Sequence, residues 1–174
     1  IKDFYRIDLP DSNWDTITVP SNWEIQGFGE PIIRNIQYVF SSNPPYIDVD
    51  NPVGTYRRTF TVPQNWQGRE VLLHFGSISG YARIYVNGQQ VGMTKASKTP
   101  AEFNVTNYLK KGENLLAVQV YRWHDGSYME DQDFWRLTGI ERDVFLQAYP
   151  KLTIWDFFLK SSLDSTYKNG IFNA

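Results

Sequence analysis

The sequence predicts an all-β antiparallel sandwich with no long helix, on three observations. From about residue 55 onward, short runs alternate large apolar or aromatic side chains with polar ones. Turn signals separate these runs at regular spacing, and only short pieces, such as 106–110, could be helical.

The runs are YRRTFTV (56–62), EVLLHFG (70–76), YARIYVN (81–87), NLLAVQVY (114–121) and DVFLQAY (143–149), rich in Val, Leu, Phe and Tyr as half-buried strands are. Asn87-Gly88 is a two-residue hairpin signal, and Lys111-Gly112-Glu113-Asn114 reads as another turn. Asn87-Gly88 with Val91-Gly92 resembles a glycine loop for phosphate only superficially. No helix start follows, so the first pair reads as a turn and Gly92 as a strand break. Residues 10–55 differ: they hold six of the nine prolines and predict an extended, loop-rich chain wrapped on the sandwich.

With 41% hydrophobic and 16% aromatic residues in 174, the chain can bury the core of one domain and carry a fragment of a second. Seventeen basic and 19 acidic residues give a net charge of −2, and no basic stripe is present, which argues against nucleic acid as a partner. No apolar stretch nears the roughly 18 residues of a membrane span. The absence of cysteine excludes disulfides, and two histidines alone make a structural zinc site a poor expectation. No secretory leader opens the chain, leaving cytoplasm and periplasm both open. Ile1 is not an initiator Met, and the tail stops just after an apparent hairpin turn at Asn169-Gly170. A piece of a longer protein is therefore expected.

The chemistry concentrates in RWHDGSYMEDQDFWRLTGIERDV (122–144). Four acids (Asp125, Glu130, Asp131 and Asp133) fall among Trp123, Tyr128, Phe134 and Trp135. A plain solvated loop has no use for so many rings, and a buried strand would not tolerate the carboxylates unpaired. Glu130 and Asp131 are adjacent and would point to opposite faces of an extended segment, whereas Asp131 and Asp133 could share one face. Such a pair suits an ion-pair network with Arg122, Arg136 and Arg142, a bound cation or sugar hydroxyl, or acid–base catalysis. The rings suit either stacking on sugar faces or anchoring the loop, Trp123, Phe134 and Trp135 being the anchor candidates. His74 and His124 are isolated in sequence and receive no role.

The order of WDTITVPSNWEIQGFGEPIIRNIQYVF, NPPYIDVDNPVGTYRRTFTVPQNW, IYVNGQQVG and TPAEFNVTNYLKKGENLLAVQVYRWHDGSYMEDQDFWRLTGIERDV resembles the amino-terminal domain of family 2 glycoside hydrolases, nearest the large bacterial β-galactosidases. The resemblance runs from Trp14 to Pro150, its most specific part being 130–144. It implies a jelly-roll, galactose-binding-domain-like sandwich over 14–150, an arm over 1–13, and the truncated start of an immunoglobulin-like domain over 151–174. It further implies that the catalytic glutamates lie on a TIM barrel outside this chain, so that the fragment alone is inactive. The β-galactoside substrate would be shared with that barrel, and the parent would be a homo-oligomer. By the same resemblance Asp133 binds sodium and the galactose end of the substrate, and Asn35 contacts sugar hydroxyls; oxygen ligands suit a hard alkali cation. Asp125 matches a secondary magnesium ligand. Lys95 stands where a glutamine partner is expected, and its ammonium argues against that site. Competing readings are the equivalent domain of a β-glucuronidase or β-mannosidase, a free-standing lectin-like module, and a purely structural docking domain.

Overall fold

The computed structural model describes residues 1–32, 38–130 and 133–174. Among the described residues the strands are β1 (Ser21–Asn22), β2 (Val53–Thr61), β3 (Glu70–Phe75), β4 (Ile78–Ser79), β5 (Tyr81–Val86), β6 (Gln89–Thr94), β7 (Ala101–Asn104), β8 (Glu113–Tyr121), β9 (Gly139–Ile140), β10 (Val144–Tyr149), β11 (Lys160–Leu163) and β12 (Gly170–Asn173). Helical structure among the described residues is limited to 3-10 turns of three or four residues, one of them Thr106–Tyr108. The all-β expectation holds.

Every named pairing is antiparallel. One sheet runs β2-β8-β5-β6 and the other β10-β3-β7, with a small β1-β9-β4 sheet beside them. Period-two alternation sends Val71, Leu73 and Phe75 of β3 inward against Ala82, Ile84 and Val86 of β5 and Val118 and Val120 of β8, in one buried cluster. Full burial of each such side chain is worth about 1.5–3 kcal/mol, and Phe75, Ile84, Val86 and Val120 are wholly sequestered. The opposite face of the larger sheet is covered by the first residues of the chain. Phe4 packs with Tyr85 and Ala117, and Arg57 donates to the carbonyls of Phe4 and Arg6.

Asn87 and Gly88 form the expected two-residue β5–β6 turn, both at positive φ (51° and 83°). Two local expectations need correction. Gly92 does not break a strand; it lies inside β6, where a Cβ would sit 2.4 Å from the Phe103 ring, so the glycine makes room for that ring. The tail does form a hairpin, but its turn is not Asn169-Gly170. Leu163 pairs with Gly170, and the loop 164–169 between them is organised by the Asp164 carboxylate, which accepts from the backbone of Thr166 and Lys168 and from the Asn169 amide. Those donors hold the Asp164 carboxyl down at about 2, hydrogen bonds from Asn169 and Thr166 leading.

Candidate functional site

Segment 122–144 follows β8 and includes β9 before β10 begins. Its base is fixed by buried groups. The Trp123 ring is 6% exposed and meets Phe40 edge-on, centroids 5.4 Å apart. Asn51 donates to the Trp123 carbonyl and accepts from its N–H, at 2.8 and 2.9 Å. Tyr38 donates to the Tyr128 carbonyl, while the Tyr128 hydroxyl reaches the carbonyl of Ser41. Of the three anchor candidates, only Trp123 is buried. Phe134 and Trp135 are 51% and 55% exposed and are corrected to surface rings.

His124, passed over in the sequence, caps the 3-10 turn Asp125–Tyr128. Its Nδ1 accepts from the Gly126 N–H at 3.1 Å, and its own N–H donates to Ser127 Oγ. Gly126 is required by that contact, because a Cβ there would fall 2.6 Å from the imidazole. With Nδ1 accepting, the neutral ring carries its proton on Nε2, which lies 3.2 Å from Glu130 Oε1, close but poorly aligned as a hydrogen bond. Burial raises the Glu130 pKa, but His124, Ser97 and the Lys98 charge outweigh it and hold the carboxyl below its ordinary value. The depressed folded value means that this contact stabilises the fold above the ordinary glutamate range, near about 4.3. That contribution is lost as pH falls through the folded pKa. Glu130→Gln should therefore flatten the acid side of the stability profile, read as urea midpoints between neutral pH and pH about 3.5. An unchanged profile would remove Glu130 from the loop's support.

Beneath the loop lies a buried ion pair. The Glu24 and Arg122 side chains are 0% and 5% exposed, with Arg122 Nη1 3.6 Å from Glu24 Oε1. Glu24 Oε2 accepts from the Thr138 N–H at 2.9 Å; Arg122 donates to the carbonyls of Glu30 at 3.1 Å and Arg136 at 2.8 Å. Desolvation lowers the Arg122 pKa against the pull of Glu24. Burial, with the Glu24 charge, pushes the Tyr56 hydroxyl upward.

Above this base the crest is exposed. Asp133, Phe134 and Trp135 face solvent, and Lys98 stands 5.1 Å over the Phe134 ring. The cleft beside it, lined by Ser79, Lys98, Arg122, Glu130 and Trp135, has a free volume of about 30 Å³, room for a water-sized occupant and not for a sugar. A larger cleft of about 410 Å³, walled by Trp14, Trp23, Phe28 and Tyr56, contains none of the sequence-predicted site residues. Asn35 and Asp131 lie outside the described residues. Asp125 is engaged by a cation: Lys95 Nζ sits 2.9 and 2.7 Å from its two carboxylate oxygens and lowers its pKa, chiefly by hydrogen bonding. Among the described residues no three His, Asp or Glu side chains gather as a metal cluster, and no helix is long and apolar enough to cross a membrane.

The fold and the loop define an all-β sandwich domain that presents an acid and two rings on an anchored surface loop. Residues 2–150 match the family described as "Glycosyl hydrolases family 2, sugar binding domain", and the chain belongs to that family. It is 48% identical over 162 residues to a β-galactosidase of Vibrio cholerae, covering 93% of this chain and 16% of that protein. It is 43% identical over 175 residues to a β-galactosidase of Priestia megaterium, covering 98% and 17%. The chain thus spans about a sixth of the length of these relatives. Among solved structures it resembles a Bacteroides uniformis β-glucuronidase (TM-score 0.68, 29% identity, 86% of this chain and 16% of that one). It also resembles a β-glucuronidase from an uncultured Clostridium species (TM-score 0.71, 27% identity, 99% and 30%).

Proposed function

We propose that this chain is the amino-terminal domain of an enzyme that hydrolyses terminal β-D-galactosides, and that its 122–144 loop forms one wall of a sugar site completed by another domain. The supporting observation is the crest itself. Asp133 is presented to solvent between a buried, hydrogen-bonded base and two exposed rings, and the cleft of about 30 Å³ that the described residues form beside it is too small for a sugar. A self-contained lectin-like site would need a sugar-sized concavity, which the described residues around that cleft do not form. In this reading Asp133 supplies a hard oxygen to sodium and to the galactose hydroxyls, Asn35 contacts hydroxyls from the neighbouring segment, and the catalytic glutamates come from the barrel. Lys95 already occupies both oxygens of Asp125, so the donor set does not fit magnesium there.

The proposed boundaries are an arm over 1–13, the sandwich over 14–150, and the opening of a further sandwich domain over 151–174. Exposed apolar side chains at Ile154, Trp155, Phe157, Phe158 and Phe172 support docking of this tail onto more protein. Assembly of the parent into a homo-oligomer follows from the family resemblance alone.

The chain by itself should not cleave nitrophenyl galactoside, and galactose should bind it no tighter than about millimolar, since one wall of a site retains little of its affinity. The parent should cleave that galactoside readily. Turnover by the purified chain would overturn the division of labour. The structural likeness to β-glucuronidases favours, as a second reading, a glucuronide substrate; a parent that prefers nitrophenyl glucuronide would establish it.

A further inference from the structure

We propose that Lys98 is a positioning residue for the sugar wall, its ammonium fixing the Phe134 ring in the orientation that meets the substrate. The inference deepens the reading of the 122–144 loop given above and rests on it.

Phe134 is 51% exposed, so core packing does not fix its ring, but the Lys98 ammonium stands 5.1 Å over it. A cation at that distance is drawn to the negative face of the ring and favours one tilt over the others. The ammonium is itself held. It donates to Ser79 Oγ at 3.1 Å, and that hydroxyl, on a residue 5% exposed, donates in turn to the Leu137 carbonyl at 2.7 Å. Ser79 belongs to β4 and Leu137 to the loop just beyond Phe134, so the lysine joins the sandwich to the crest. Against the effect of burial, and together with His124 and Ser97, its charge also holds the Glu130 carboxyl below the ordinary value. The backbone carries a further sign. Lys98 has a φ of 64°, in the left-handed region that lysine seldom enters. Such strain persists where the surroundings impose it, and it gathers at functional positions. Here the Lys98 N–H donates to the Ile78 carbonyl at 3.2 Å, and the neighbouring Ser97 Oγ accepts from the Gly80 N–H at 2.9 Å. Glycine would adopt that backbone at lower cost, so the lysine is explained by what its side chain reaches.

The test compares Lys98→Met with Lys98→Arg in the full-length enzyme. Methionine keeps an unbranched side chain and loses the charge, whereas arginine keeps a cation that stacks on rings. A trifluoromethyl-phenylalanine at position 134 reports the ring by its fluorine resonance, and the same label in place of Phe145 in β10 serves as reference. Lys98→Met should shift or broaden the resonance at 134 and leave that at 145 alone; Lys98→Arg should leave both alone. Kinetically, Lys98→Met should raise KM for a galactoside about threefold to fivefold with kcat within about twofold, as expected for a lost cation–π contact. On a Phe134→Ala background it should cost less than about 1.5-fold, because the ring it positions is gone. An unmoved resonance at 134, an arginine variant as impaired as the methionine one, or full additivity with Phe134→Ala overturns the positioning role. So does a rise in KM that comes with a large fall in melting temperature, which would make the lysine a general support of the fold. If Phe134→Ala alone leaves KM unchanged, the wall reading has failed at this ring and the substrate role of Lys98 falls with it, whatever the fluorine result.

Discussion

Arg122→Met is expected to destabilise the 174-residue chain by about 3–5 kcal/mol, the usual penalty for leaving one member of a buried ion pair uncompensated. Glu24 has no exposed side-chain area through which water could take over, and its remaining bond is to the Thr138 N–H. The same substitution strips donors from the carbonyls of Glu30 and Arg136, each orphaned group costing about 1–3 kcal/mol if it stays dry. A second variant separates the two contributions. In Arg122→Met/Glu24→Gln the amide oxygen still accepts from Thr138 but carries no charge, so the double variant should recover the electrostatic share and retain the carbonyl share. Urea-unfolding free energies for the three proteins would show this as a double variant more stable than Arg122→Met alone. If it is no more stable, the buried charge is not what the arginine relieves.

This pair also shows where sequence reading ended. The central strands were legible because both faces of β3, β5 and β8 pack on something, which enforces runs such as VLLHF and ARIYV. β6 (QQVGMT) and β7 (AEFN) were not, because β6 opens on two polar residues and holds a glycine, and β7 is only four residues long, so neither shows the alternation of a strand. The Asn87-Gly88 turn was readable because positive φ at two successive positions narrows the choice of residues. The tail turn was misread because Asp164, six positions before the glycine, organises the loop through its side chain. In the site, Asp133 could be singled out because its acids and rings are crowded within a few residues. The Glu24 contact to Thr138 spans 114 positions, and in PSNWE nothing marks Glu24 as destined for the interior. His124 was likewise invisible, since an isolated histidine gives no sign that it will cap a turn and face Glu130. Phe134 and Trp135 were ambiguous for the converse reason: rings that anchor a loop and rings that face a ligand have the same composition.

Asp133→Asn in the full-length enzyme should reduce kcat/KM for a galactoside by about tenfold to a hundredfold, the loss of one charge-assisted contact of about 1.5–3 kcal/mol in the transition state. The side chain keeps its shape, so the change isolates the charge. A hard cation loses most from that substitution, since it exchanges a carboxylate oxygen for a weaker amide oxygen. The sodium concentration needed for half-maximal activity should therefore rise in the variant. The sandwich should be nearly unaffected, because Asp133 lies on the exposed crest while the loop is held from below by Trp123, His124 and Arg122. Thermal unfolding of the two proteins checks that point independently of activity. Asp125→Asn serves as the control: its carboxylate is half exposed and engaged by Lys95, and losing such a surface pair is worth less than about 1 kcal/mol. It should change turnover by less than about twofold and leave the sodium response alone. Normal activity and normal sodium dependence in Asp133→Asn would mean that the acid is a surface charge with no part in the sugar site. A large activity loss accompanied by an equally large fall in stability would mean that it supports the loop and does not meet the ligand.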